Sequence, residues 1–152
     1  MLVLACSMSS GKPRVLVVDD EPAIRALVAK IVERAGLAVD TAADGSIAIE
    51  KLAQNSYAAV VLDLMMPIVD GYGLIEHLKL RGGPRPAIIV ISAGDSASLR
   101  QLDGAMVHSI IRKPFDIDVL GDLVVAAATT TMESAEQREG DVLPFPRSET
   151  GC

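Results

Sequence analysis

Four places in this 152-residue chain put chemically capable side chains where an apolar run stops. Asp19 and Asp20 follow Arg14-Val15-Leu16-Val17-Val18. Asp63 follows Val60-Val61-Leu62, and Ser92 follows Ala87-Ile88-Ile89-Val90-Ile91. Lys113 comes just after the run that begins at Val107 and opens the segment Lys113-Pro114-Phe115. Taken singly, each has a plain reading: a lone Asp as a cap, Ser92 as a helix cap, Lys113 as a surface lysine. If the runs are neighbouring parallel strands, all five residues converge on one rim. Three carboxylates against one ammonium form an undercompensated acidic cluster, and such a cluster either raises carboxylate pKa values or attracts a cation. Oxygen-only donors suit Mg²⁺, which keeps several waters and accepts one or two carboxylates. No thiolate or imidazole set is indicated, since His77 falls on a helix and His108 is isolated.

The elements that must position these residues follow from periodicity. The β-branched run at 14–18 and the continuous apolar runs at 58–62 and 87–91 read as strands, the last two fully apolar and suited to burial on both faces, and 107–111 reads as strand five. Residues 38–42 form a shorter strand whose polar residues suit an edge. Between them lie helical patterns. Pro22 opens the first, where Ile24, Leu27, Val28, Ile31 and Val32 recur at helical spacing, and Gly36 ends it. The second runs from Gly45 to about Gln54 and the third from Gly71 to about Leu80, before Gly82-Gly83-Pro84 breaks it. A weak fourth spans Asp95 to Asp103. The fifth is capped by Asp116, with Ile117, Leu120, Leu123 and Val124 at helical spacing. Five strands alternating with five helices predict an α/β, flavodoxin-like, doubly wound parallel sheet in the order 2-1-3-4-5. That order sets strands one and three side by side at the switch point. Pro67 and Asp70-Gly71 read as turn chemistry after Asp63.

Composition bounds the rest. Hydrophobic residues make up 50% of the chain but aromatics only 3%, so the core is aliphatic. The net charge of −6 and the lack of a Lys/Arg-rich stripe argue against direct nucleic-acid binding. No apolar run approaches the roughly 18–20 residues that span a membrane. Cys6 and Cys152 lie near the ends and form no disulfide framework, which suits the cytoplasm. Val3-Leu4-Ala5-Cys6 lacks the basic region of a lipoprotein leader, and an N-terminal extension is the plainer reading, with the start at Met1 or Met8 left open. Residues 1–12 are expected to be a tail, 13–128 one domain, and 129–152 a disordered polar tail.

Together, Asp19-Asp20, Asp63 with Met66-Pro67 and Asp70-Gly71, Ser92-Ala93, and Lys113-Pro114-Phe115 resemble the receiver domain of bacterial two-component response regulators. The resemblance covers roughly residues 13–128. It implies a phosphoacceptor at Asp63 that attacks a phosphohistidine of a histidine kinase or histidine phosphotransfer protein. It also implies Mg²⁺ held by Asp19, Asp20, Asp63 and the backbone carbonyl of Met65. Lys113 and the Ser92 hydroxyl would meet phosphoryl oxygens, and the Lys113-Pro114 bond would be cis. Such a domain is not an enzyme with an external substrate. With no room for a second domain in the tail, output would pass through a downstream protein or a phosphorelay. One departure stands out: the family usually has Tyr or Phe three residues before the lysine, and here that residue is Ile110. A degenerate receiver used only as a binding module is the alternative. A haloacid-dehalogenase-type phosphatase would need Asp where Met65 stands, and a dinucleotide-binding domain would need a glycine fingerprint after the first strand.

Overall fold

A computed structural model describes residues 12–64, 70–81, 85–93 and 104–142, with side chains described as far as Thr131. In chain order the elements are β1 (Arg14–Val18), α1 (Pro22–Arg34), β2 (Ala38–Ala42), α2 (Gly45–Gln54), β3 (Ala59–Asp63), α3 (Gly71–Arg81), β4 (Ala87–Ser92), β5 (Val107–Arg112) and α4 (Ile117–Val142). The five strands form one sheet in the order β2-β1-β3-β4-β5, with every pairing parallel. This is the flavodoxin-like arrangement expected from the sequence.

The period-2 geometry of the strands splits the core in two. Leu16, Val18, Val60, Leu62, Ile88 and Val90 pack with Ala48 and Leu52 of α2 and with Leu74, Ile75 and Leu78 of α3. Val15, Val17, Ala59, Val61, Ile89 and Ile91 pack on the other face with Val28, Ile31 and Val32 of α1 and with Leu120, Val124 and Ala127 of α4. The three middle strands are therefore buried on both sides. Their near-continuous aliphatic runs are the consequence.

Helix ends follow local chemistry. Asp44 accepts the Ile47 amide at 2.9 Å and caps α2. Asp116 accepts the amides of Asp118 and Val119 at 2.8 and 3.2 Å at the start of α4. Gly36 ends α1 at φ +90°, a conformation that only glycine adopts without strain.

Ile117 shares the helical spacing of Leu120, Leu123 and Val124 but is 53% exposed at the first position of α4, and burial begins at Leu120. The backbone of α4 runs on to Val142, through the first part of the stretch expected to be a disordered tail. The apolar stripe stops near Ala128, yet helical backbone needs only propensity. The Thr130 and Thr131 hydroxyls donate to the carbonyls of Ala126 and Ala127 at 2.8 and 3.0 Å, so they follow the helix. The helix expected at Asp95 to Asp103 lies outside the described residues, and among the described residues there are four helices.

Candidate functional site

The parallel strands all point their carboxyl ends at one rim, where open α/β sheets bind ligands. Asp19 follows β1, Asp63 closes β3, Ser92 closes β4, and Lys113 follows β5. The carboxylates of Asp19, Asp20 and Asp63 each bring an oxygen within 4.8 Å of the others. Lys113 reaches into this group, with Nζ 3.6 Å from Asp63 Oδ2 and 3.9 Å from Asp19 Oδ2. Its backbone N–H donates to the Ser92 carbonyl at 3.0 Å, which ties the start of the β5–α4 connection to the end of β4. The Lys113-Pro114 bond is cis.

Burial is uneven. Asp19 is 2% exposed, Asp63 7% and Ser92 1%, whereas Asp20 is exposed. Burial pushes the Asp19 carboxyl above its ordinary value. The neighbouring charges of Asp63 and Asp20 push the same way, and the Glu21 amide and Lys113 oppose them. The group is therefore short of positive charge. Its donors are hard carboxylate oxygens, two of them sheltered from water, and this fits a small divalent cation such as Mg²⁺. Met65, the remaining expected ligand, lies outside the described residues.

Residues 15–125 match the response regulator receiver domain. The chain belongs to this family. Receiver domains are the phosphoacceptor signalling domains of two-component systems. They typically bind Mg²⁺ and are phosphorylated by histidine kinases or phosphotransfer proteins. This receiver domain is 37% identical over 117 residues to the transcriptional regulatory protein TcrA of Mycobacterium tuberculosis, covering 76% of this chain and 46% of that protein. It is 39% identical over 109 residues to the response regulator MprA of Mycobacterium sp., covering 70% of this chain and 46% of that protein. The chain thus spans under half the length of these curated relatives. Among solved structures it resembles the receiver domain of the Francisella response regulator 1452, at 31% identity and a TM-score of 0.71, covering 78% of this chain and 98% of that one. Among the described residues, no helix is long and apolar enough to cross a membrane.

The receiver's rim also uses one residue that sequence reasoning passed over, Arg25, and gives Gly71 a close contact beyond its turn role. Arg25 Nη1 donates to the Asp19 carbonyl at 2.8 Å. The only hint in the sequence is a cation near the start of a helix, where the dipole disfavours one. Gly71, read as turn chemistry, donates its N–H to the Leu64 carbonyl at 2.8 Å and lies directly against the backbone that follows Asp63. Asp70 is the turn residue: its Oδ1 accepts the Gly73 amide at 2.9 Å. Ile110, at the position of the family's usual aromatic, is 43% exposed on edge strand β5.

Proposed function

We propose that Asp63 accepts a phosphoryl group from a histidine kinase or histidine phosphotransfer protein in a Mg²⁺-dependent reaction. The observation that carries this reading is the convergence of Asp19, Asp20 and Lys113 on a sheltered Asp63 at the carboxyl end of β3.

In this reading an Asp63 carboxylate oxygen forms the new O–P bond as the phosphohistidine N–P bond breaks. The bonding pair leaves with the imidazole, which takes its proton from solvent. Asp19, Asp20 and Asp63 would hold the cation, and the resemblance adds the Met65 carbonyl as a further ligand. Bound Mg²⁺ supplies positive charge that offsets the repulsion between phosphoryl oxygens and an anionic nucleophile. Lys113 already lies within 4 Å of both Asp19 and Asp63 and pairs with a phosphoryl oxygen through a charge-assisted bond. The Ser92 hydroxyl donates to another. The acidic balance of the chain, −6 overall, supports output through a protein partner or onward relay rather than direct contact with nucleic acid, and a cytoplasmic setting suits such a relay.

The test is incubation of the full chain with Mg²⁺ and acetyl phosphate, followed by intact mass. One added phosphoryl group, mapped to Asp63 and absent with EDTA or in Asp63→Asn, is the expected result. Full labelling of Asp63→Asn would overturn the assignment.

A further inference from the structure

Arg25 stands where its own helix disfavours it. Pro22 begins α1, so Arg25 lies at the first turn, at the positive end of the dipole, and no acid in that turn offsets it. Its side chain instead reaches back beyond the helix start, where Nη1 donates to the Asp19 carbonyl at 2.8 Å. Its backbone N–H donates to the Glu21 carbonyl at 2.9 Å. The backbone bond is the ordinary first bond of the helix; the side chain adds a hold on the far end of the turn Asp19-Asp20-Glu21.

The rest of that turn is held too. The Asp19 N–H donates to the Ala42 carbonyl of β2 at 3.2 Å, and Asp19 Oδ1 accepts the Glu21 amide at 2.9 Å. Asp19 is thus tied at its amide by β2, at its carboxylate by its own turn, and at its carbonyl by α1. Lys113 meets the Asp19 carboxylate only as an ion pair at 3.9 Å, whereas the Arg25 hydrogen bond comes from a side chain of α1. Without it, that carbonyl, at the point where the chain leaves the sheet ladder, loses a charged donor. The turn also carries two of three mutually repelling carboxylates, and repulsion favours its opening.

We infer that Arg25 is a positioning residue for the acidic cluster. It holds the Asp19–Glu21 turn so that the carboxylates of Asp19 and Asp20 stay within ligating reach of Asp63, while touching neither cation nor phosphoryl group itself. This rests on the reading of the cluster as a Mg²⁺ site. It carries a sign that separates it from simple electrostatics. A cation acting only through its charge weakens Mg²⁺ binding, so its removal would tighten the site. A clamp does the reverse.

The experiment compares Mg²⁺ affinity of the full-length wild type, Arg25→Met and Arg25→Lys by calorimetric titration, with thermal unfolding in EDTA alongside. Met keeps the aliphatic stem and removes every donor. Its Mg²⁺ dissociation constant should rise about tenfold, the low end of what losing a partner behind a metal ligand costs. Lys keeps one charged donor and should lie between, about two- to threefold weaker than wild type. The maximal rate of labelling by acetyl phosphate at saturating Mg²⁺ should change far less than the Mg²⁺ concentration needed to reach it. Equal or tighter Mg²⁺ binding by a folded Arg25→Met would overturn the inference, as would a loss of thermal stability with affinity unchanged. If Arg25→Met does not fold, Arg25→Lys decides, and wild-type affinity there overturns it. Failure of the wild type to bind Mg²⁺ would overturn the site reading and this inference together. A wild type that binds and an Arg25→Met that binds equally removes the inference alone.

Discussion

At the scale of single residues, the chemistry depends on atoms that do none of it. A Cβ added to Gly71 would stand 2.6 Å from Leu64 Cα and 2.9 Å from the Asp63 carbonyl oxygen. Both are backbone atoms, so no side chain can swing aside. Gly71→Ala must push either α3 or the end of β3. Overpacking of this kind costs about 1–3 kcal/mol, and displacing Asp63 should slow acetyl phosphate labelling by roughly tenfold or more. Thermal unfolding and initial labelling rates check both halves; a wild-type rate in Gly71→Ala would show that α3 alone yields. At the opposite rim, Tyr57 donates its hydroxyl to Asp40 Oδ2 at 2.8 Å, while Arg14 Nη1 holds Asp40 Oδ1 at 2.9 Å. Burial first, and Asp40 second, push the Tyr57 phenol from its ordinary value near 10 up to about 12. The folded state therefore holds its proton more tightly than the unfolded chain does. The stability this contributes is complete below pH 10 and is lost as the pH rises from 10 to 12. Tyr57→Phe should lose about 1 kcal/mol at neutral pH and decline less steeply across that alkaline window. Urea midpoints at a series of pH values read both effects.

At the scale of elements, α4 separates what packs from what merely stays helical. It is 26 residues long, yet Ala128 is the last of its described side chains in the buried cluster. The Thr130 and Thr131 hydroxyls bond within their own helix. A chain ending after Thr131 should therefore keep the core and these hydroxyl bonds. Its thermal midpoint should fall by no more than a few degrees, about 1 kcal/mol, with acetyl phosphate labelling unchanged. Aggregation, or a much larger fall, would show that the remainder of α4 packs on the domain. The same helix shows why the fold was legible and where legibility ended. Burial leaves a period in the sequence: the runs at 59–62 and 87–91 stop abruptly at Asp63 and Ser92, and Leu120 and Val124 mark the inner face of α4. The convergence of Asp19, Asp63, Ser92 and Lys113 followed from strand order, because parallel strands end on one side. Helix continuation past Ala128 leaves no apolar period, and Ile117 opens a helix without facing the core. Arg25 and Gly71 were hidden for a different reason. Their partners are backbone atoms of Asp19 and Leu64, which no side-chain pattern in the sequence marks.

At the scale of the whole molecule, two aliphatic layers hold a sheet whose rim is electrostatically unfavourable on its own. Val15 and Val17 anchor β1 on one face and Leu16 and Val18 on the other, so the strand that leads to Asp19 cannot retreat from the repulsion. Under the proposed Mg²⁺ reading the rim trades stability for binding, a common arrangement at binding sites. The double variant Asp19→Asn with Asp20→Asn isolates that trade. Asn at position 19 keeps an oxygen for the Glu21 amide, so the turn retains its bond while two negative charges vanish. In EDTA the variant should unfold at a higher temperature than the wild type, by about 1 kcal/mol, or roughly 2–4 °C for a chain of this size. In Mg²⁺ the order should reverse. A ligand at a hundred times its dissociation constant stabilises the folded state by about 2.7 kcal/mol. The wild type gains this, and a variant with only Asp63 left, facing Lys113 at 3.6 Å, does not. The two melting temperatures plotted against Mg²⁺ concentration should therefore cross. A variant less stable than wild type in EDTA would show that the carboxylates do not strain the apo fold, and one whose melting temperature climbs with Mg²⁺ as the wild type's does would place the cation elsewhere.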